Sequence, residues 1–276
     1  MAQKKVSKLE NYMDKTHTHK KYSHKTHTFS DIWIMTKRNL LRYARMPQLI
    51  IFSFIQPVMF VLLFAYVFGG AIQTPGNDYI NFLLPGILVQ TVLFGSMMTG
   101  VSLAEDITKG MIDRFRSLPM ARSAVLAGRT ITESIRNVLI IAVMTLVGML
   151  IGFEITNGFG NYLLAVLLTV GFGFAFSWVS ATIGLAVKSV ETAQTAGFIW
   201  VFPLAFASSI FVPVESMSGA VKWFAEHNPI SYTVNTVRAL TLGTPVGDNH
   251  WYAIAWIVGI LIVFIPLAVN RYRKIA

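Results

Sequence analysis

Six long apolar runs set what this chain can become, at about 49–71, 82–104, 138–153, 162–187, 193–214 and 251–269. A bilayer core asks for about 20 apolar residues in a helix. A helix satisfies its own backbone in lipid, where an open sheet edge cannot. The chain is 54% hydrophobic and only 13% charged, against about 25% charge in an ordinary soluble domain. The expectation is an all-α integral membrane protein with six transmembrane helices. The third run is short, but its helix can begin at Ser123 with a polar foot among the headgroups.

Charge placement orients the expected bundle. All but two of the 23 lysines and arginines fall in the N-terminal segment, the second and fourth connections or the C-terminal tail; the exceptions are Lys222 and Arg238 in the fifth connection. The positive-inside rule then puts both termini in the cytoplasm, and six spans fit that parity; the expected location is the cell (plasma or inner) membrane. The N-terminus has no apolar core of a signal peptide, so the first run is expected to act as its own insertion signal. Cysteine is absent, which excludes disulfide frameworks and thiolate chemistry.

Residues 1–29 read as a disordered, basic, His-rich cytoplasmic tail. Four histidines there (His17, His19, His24 and His27) could bind a transition metal, but without further ligands to complete a site the expectation is a solvated segment near anionic headgroups. Residues 30–46 read as an interfacial amphipathic helix. Ser30 would cap it, Asp31 would open it, and Lys37, Arg38, Arg42 and Arg45 suit its C-terminal half. Trp33, Leu40, Leu41 and Tyr43 form its apolar side. Pro47 then turns the chain into a six-span domain over 47–276.

The absences narrow the function. No ionisable residue lies within the six spans as drawn, which disfavours a proton relay. No histidine lies in a span and no His-Glu-x-x-His occurs, so an intramembrane hydrolase is not expected. Without a Gly-Lys dipeptide there is no phosphate-cradling loop. The chain is thus expected to be no enzyme and to hold no cofactor or metal of its own, and no potassium-type filter is present.

Three features remain to carry function. The first is a polar stretch between apolar runs, from Glu105 through Lys109, Gly110 and Arg114 to Arg122. Within it Met111, Ile112, Phe115 and Leu118 share one helical face, and Pro119 ends the helix. It reads either as an interfacial helix marking the membrane boundary or as a lever docked in a partner's groove, with Met111 and Phe115 buried. The second is the connection 215–250, amphipathic and broken at Asn228-Pro229, which predicts two short helices dipping into the outer leaflet. Trp251, Tyr252 and Trp256 would lie in the outer aromatic belt. The third is inside the bundle. Gln56 and Gln90 face a pathway or bond between helices, Pro57, Pro85 and Pro203 bend helices, and Gly148-x-x-x-Gly152 is a close-packing motif.

The run Glu105…Gly110…Arg114…Pro119…Arg122…Gly128 resembles the cytoplasmic signature of type-2 ATP-binding-cassette export permeases. The stretch Phe211, Val212, Pro213, Val214, Glu215, Met217, Trp223, Phe224, Asn228, Pro229, Ile230, Arg238, Ala239, Leu240 is similar to the segment before the last span in the daunorubicin-resistance-type subfamily. Ser218 stands where that subfamily commonly has proline, so the shape of the outer turn stays open. The resemblance covers about residues 30–275. It implies that two permease chains pair, alike or different, and bind two copies of a separate ATPase, which would hold ATP and magnesium. The 105–120 helix would couple nucleotide-driven closure to the bundle. An amphipathic drug-like or lipid substrate would leave the cytoplasm or inner leaflet, with no nucleic acid involved. The alternatives are export of a lipid-linked polysaccharide, or a membrane anchor or sensor subunit that transports nothing.

Overall fold

A computed structural model describes residues 28–70, 78–111 and 122–275. The tail expected over 1–29 therefore lies outside them up to residue 27, as does the segment 112–121. The described residues form helices α1 (Thr28–Arg45), α2 (Pro47–Leu63), α3 (Tyr79–Thr108), α4 (Arg122–Leu150), α5 (Gly158–Gly184), α6 (Val190–Phe206), α7 (Gly219–Glu226), α8 (Pro229–Leu242) and α9 (Asn249–Ile275). A π-helical turn, Phe64–Phe68, prolongs α2, and a 3₁₀ turn, Val214–Ser216, precedes α7. Among these residues the chain is all-helical.

Five helical segments are long and apolar enough to cross a membrane: Ile51–Phe68, Tyr79–Thr108, Ser123–Leu150, Gly158–Gly184 and Asn249–Lys274. The run expected at 193–214 does not stay helical throughout. Helix α6 has 17 residues, contains Pro203 and ends at Ala207 in a non-helical conformation. The third span runs longer than its apolar core at 138–153, because α4 starts at Arg122. That places Arg129, Glu133 and Arg136 on a continuous helix rather than in a connection, and Glu105 and Asp106 likewise belong to α3. The expectation that the spans carry no charge is corrected accordingly: both long helices carry ionisable side chains at the ends that flank the 109–121 segment.

Helix α3 is the centre of the bundle. Two thirds of its apolar window is buried, against 11% for the first span and 17% for the last, so α2 and α9 present their sides outward. Helices α3 and α5 cross backbone to backbone, since a Cβ on Gly100 would overlap the Ser180 carbonyl and one on Gly184 the Gly100 carbonyl. Small residues permit such approach between apolar helices. Gly148 does likewise within the chain, lying under the Leu84 side chain, whereas Gly152 has φ +109° and turns the chain after α4. The motif is thus half packing and half turn.

The main core joins Leu83, Leu84, Ile87, Leu93, Met144, Phe172, Ile210 and Ile230. A second apolar cluster lies toward the end bearing α1 and the C-terminus: Met35, Leu103, Leu126, Trp178, Leu185, Ala268 and Tyr272. Helix α1 lies along α4, with Met35 seated over Gly128, where a Cβ would crowd it at 2.6 Å. Its inward face is Met35, Thr36 and Tyr43; Trp33 and Leu41, expected on the same apolar side as Tyr43, face outward with Phe29 and Ile34. Ser30 lies inside the helix rather than capping it.

Candidate functional site

Two cavities adjoin along α3 and α4. The larger, about 610 Å³, lies between α2, α3, α4 and α6. Phe52, Phe60, Phe94, Phe198, Phe202 and Phe206 line it, together with the polar side chains of Gln56, Gln90, Thr91 and Arg136. The sequence-derived pair Gln56 and Gln90 is thus brought into one cavity wall. The ring pairs Phe94–Phe202 and Phe202–Phe206 fix this wall edge-to-face and stacked, with centroids 5.5 and 5.4 Å apart.

The smaller cavity, about 240 Å³, lies between α1, α3 and α4 and is polar. Asn39, Arg42, Tyr43, Ser102, Glu105, Arg129, Glu133 and Arg136 form its walls. Met98 and Arg136 stand in the walls of both cavities. The polar groups are ordered by the pitch of α4: Arg129, Glu133 and Arg136 fall at i, i+4 and i+7, one stripe along the helix. Arg129 Nη2 is 2.8 Å from Asp106 Oδ2 at the end of α3, with both side chains about nine-tenths buried. Glu133 accepts from the Tyr43 hydroxyl at 2.7 Å and pairs with Arg136 Nη2 at 2.7 Å. Burial and the Glu133 carboxylate push the Tyr43 phenol up to about 12, because both disfavour a second negative charge. Lys109 pairs with Glu105 on the exposed surface.

Of the expected lever, Glu105 and Met111 are described, Gly110 takes φ +64° in the turn that follows α3, and Arg122 opens α4. Arg114, Phe115, Leu118 and Pro119 lie outside the described residues. What the sequence reading missed is the stripe beside this segment. The spacing of Arg129, Glu133 and Arg136 along a helix that begins at Ser123 is the available signal, obscured by counting their charges with the second connection.

The opposite end of the bundle holds the second expected motif. Asn228 divides α7 from α8. Its side-chain oxygen accepts from the Ile230 amide at 2.9 Å, and its Nδ2 donates to the Leu204 and Ala207 carbonyls at 2.7 and 2.8 Å. One side chain therefore starts α8 and closes the end of α6. Pro229 follows at the first helical position, where its missing N–H costs nothing. Arg238 donates to the carbonyls of Phe82 and Ser209 and to Asn235 Oδ1, each at 3.0 Å, and its guanidinium lies 3.6 Å from the centre of the Phe82 ring. Pro213, Glu215 and Arg238 share the wall of a polar recess of about 620 Å³. Asn228 and Pro229 do not reach it; they act on the helices instead. No cluster of metal-ligating side chains occurs among the described residues.

This architecture has counterparts. The family model described as ABC-2 type transporter matches residues 30–242. The chain is 34% identical over 247 residues to the daunorubicin resistance ABC transporter permease protein DrrB1 of Streptomyces coeruleorubidus, across 90% of this chain and 86% of that protein. It is 25% identical over 243 residues to the probable doxorubicin resistance ABC transporter permease protein DrrC of Mycobacterium tuberculosis, across 87% of each. The putative transport permease ycf38 of Cyanophora paradoxa is 24% identical over 217 residues, 76% of this chain and 73% of that protein. The family match runs from α1 through α8 and takes in both cavities and the Asn228 junction, and the chain belongs to the ABC-2 type transporter family.

Proposed function

We propose that this chain is the transmembrane permease subunit of an ATP-binding-cassette exporter that moves an amphipathic drug-like or lipid substrate out of the cytoplasm or inner leaflet. The observation that carries the reading is the phenylalanine-lined cavity holding Gln56 and Gln90, in a chain 34% identical to a daunorubicin resistance permease. Such a wall offers apolar area with a few hydrogen-bonding groups, the usual make-up of a small-molecule site. In this reading α6 is the fifth of six spans and α9 the last, α1 lies on the inner leaflet, and α7 and α8 re-enter from the outer side. Both termini are cytoplasmic, in the cell membrane. The 105–120 segment docks on a separate ATPase, which binds ATP and magnesium; two copies of it serve two permease chains. The outward side of α2, with Phe52, Met59 and Tyr66 exposed, suits contact with lipid or a second permease chain.

The test is co-purification with a candidate ATP-binding-cassette ATPase, followed by transport in inverted vesicles. ATP-dependent uptake of an amphipathic dye, weakened by Gln90→Ala or Phe202→Ala, is the expected result. ATPase stimulation without substrate movement would overturn the exporter reading in favour of a sensor subunit. Transport confined to lipid-linked glycan would replace the substrate class.

A further inference from the structure

The polar cavity between α1, α3 and α4 has a charge imbalance that the ion pairs around it leave unanswered. Each carboxylate at this level already has a cation: Glu105 has Lys109, Asp106 has Arg129 and Glu133 has Arg136. Arg42, in the wall of the same cavity, has no carboxylate partner among the described residues. Two further donors are unused. Arg129 Nη1 and Arg136 Nε are buried without a hydrogen-bond partner among the described residues, on side chains only 10% and 13% exposed. A buried donor left unpaired costs about 1–3 kcal/mol, more when charged, so these groups mark a place where an acceptor belongs. Beyond Met98 and Arg136, the wall residues common to both cavities, the polar space gives way to the phenylalanine-lined one.

From this juxtaposition we infer that the two cavities together bind an anionic amphipath. Its carboxylate or phosphate head sits in the polar cavity against Arg42, Arg129 and Arg136, and its apolar body lies among Phe94, Phe198 and Phe202. Guanidinium groups suit this task, because their planar donors match the two oxygens of a carboxylate or phosphate. Arg136 is then the residue that distinguishes substrates, since it alone of the three arginines touches both compartments. The inference rests on the exporter reading for its apolar half, and supplies the chemistry of the head.

The full chain in nanodiscs tests it, with empty nanodiscs as the partition control. The probes are pyrenedecanoic acid and its methyl ester, read by energy transfer from the protein's tryptophans. The acid is expected to bind about tenfold more tightly than the ester, the ratio that one charge-assisted hydrogen bond supports. Arg136→Gln is expected to erase that preference. Because that variant also strips Glu133 of its partner, Arg42→Gln serves beside it: Arg42 is exposed and makes no ion pair among the described residues, and its loss should remove most of the preference from a folded protein. Inorganic phosphate at millimolar concentration should not displace the acid; displacement would mean a free-anion site and overturn the amphipath. Equal affinity for acid and ester, with binding of both still lost in Phe202→Ala, overturns the anionic head and leaves the cavity reading intact. Binding of both probes indifferent to Phe202→Ala overturns both.

Discussion

Asp106 and Arg129 meet carboxylate to guanidinium at 2.8 Å, and so tie the last turn of α3 to the early turns of α4. Both residues are 8% exposed. Desolvating two charges offsets most of their attraction, so the pair adds little net stability, but removing one partner strands the other. Asp106→Ala and Arg129→Ala are each expected to destabilise the chain by about 3–5 kcal/mol. The double replacement Asp106→Leu with Arg129→Met should recover much of that loss. Thermal unfolding followed by fluorescence-detected size exclusion in detergent measures it; additive losses in the double variant would show that the residues do not act as a pair.

At the other end, Arg238 is a staple. Two of its bonds and its stacked face hold α8 to Phe82 in α3 and to Ser209 in the turn after α6, while the third, to Asn235 within α8, orients the guanidinium. Lysine keeps the charge but has neither the fork nor the plane. Arg238→Lys is therefore expected to cost nearly as much as Arg238→Ala, about 3 kcal/mol from lost charge-assisted bonds. Rescue by lysine in the same unfolding assay would mean that charge alone matters there.

How legible this was depends on what kind of signal each residue leaves. The apolar runs are long and local, so the spans at 82–104 and 251–269 fall inside α3 and α9, and the one at 162–187 overlaps α5 but overruns its end at Gly184 by three residues. The break at Asn228-Pro229 was equally local, and the structure divides α7 from α8 there. The start of α4 follows the expectation of a helix from Ser123, but its end falls short of the apolar run at 138–153, because the helix stops at Leu150 and Gly152 turns the chain. Buried pairing hides charge from a composition count: Arg129 reads as loop until Asp106 is seen beside it. Asn228 and Arg238 could be named from the resemblance, but their partners, Leu204 and Phe82, are distant in sequence and only the packed helices bring them near.

Tyr43 gives a pH test of the α1–α4 contact. Its hydroxyl donates to Glu133 at 2.7 Å, and its folded-state pKa stands at about 12 against an ordinary 10. A raised folded value means that the folded state holds the proton more tightly. The stabilisation is fully present below the unfolded pKa and is lost as pH rises through the folded one. Wild type should therefore unfold at a higher temperature than Tyr43→Phe at pH 9, and the gap should close between about pH 10 and 12. A gap unchanged over that range would remove the Glu133 contact from the account.

The segment that Asp106 and Arg129 bracket is where transport and ATP hydrolysis should separate. Met111, Ile112, Phe115 and Leu118 share one helical face by spacing; a docked helix buries such a face in its partner's groove. Phe115→Asp puts a charge on that face without touching an apolar run, so membrane insertion and expression should be unchanged. With the partner ATPase present, substrate movement in vesicles should fall at least about tenfold, the effect of 1.4 kcal/mol or more of lost docking energy, while ATP hydrolysis continues. Leu118→Asp, on the same face, should behave alike, and Arg116→Asp, off that face, should not. Deleting residues 1–25 is expected to leave transport largely intact, which sets the control for expression. Normal transport by Phe115→Asp at normal ATPase binding would leave the 105–120 segment as a boundary marker, and the coupling of energy would have to be sought elsewhere on the basic end.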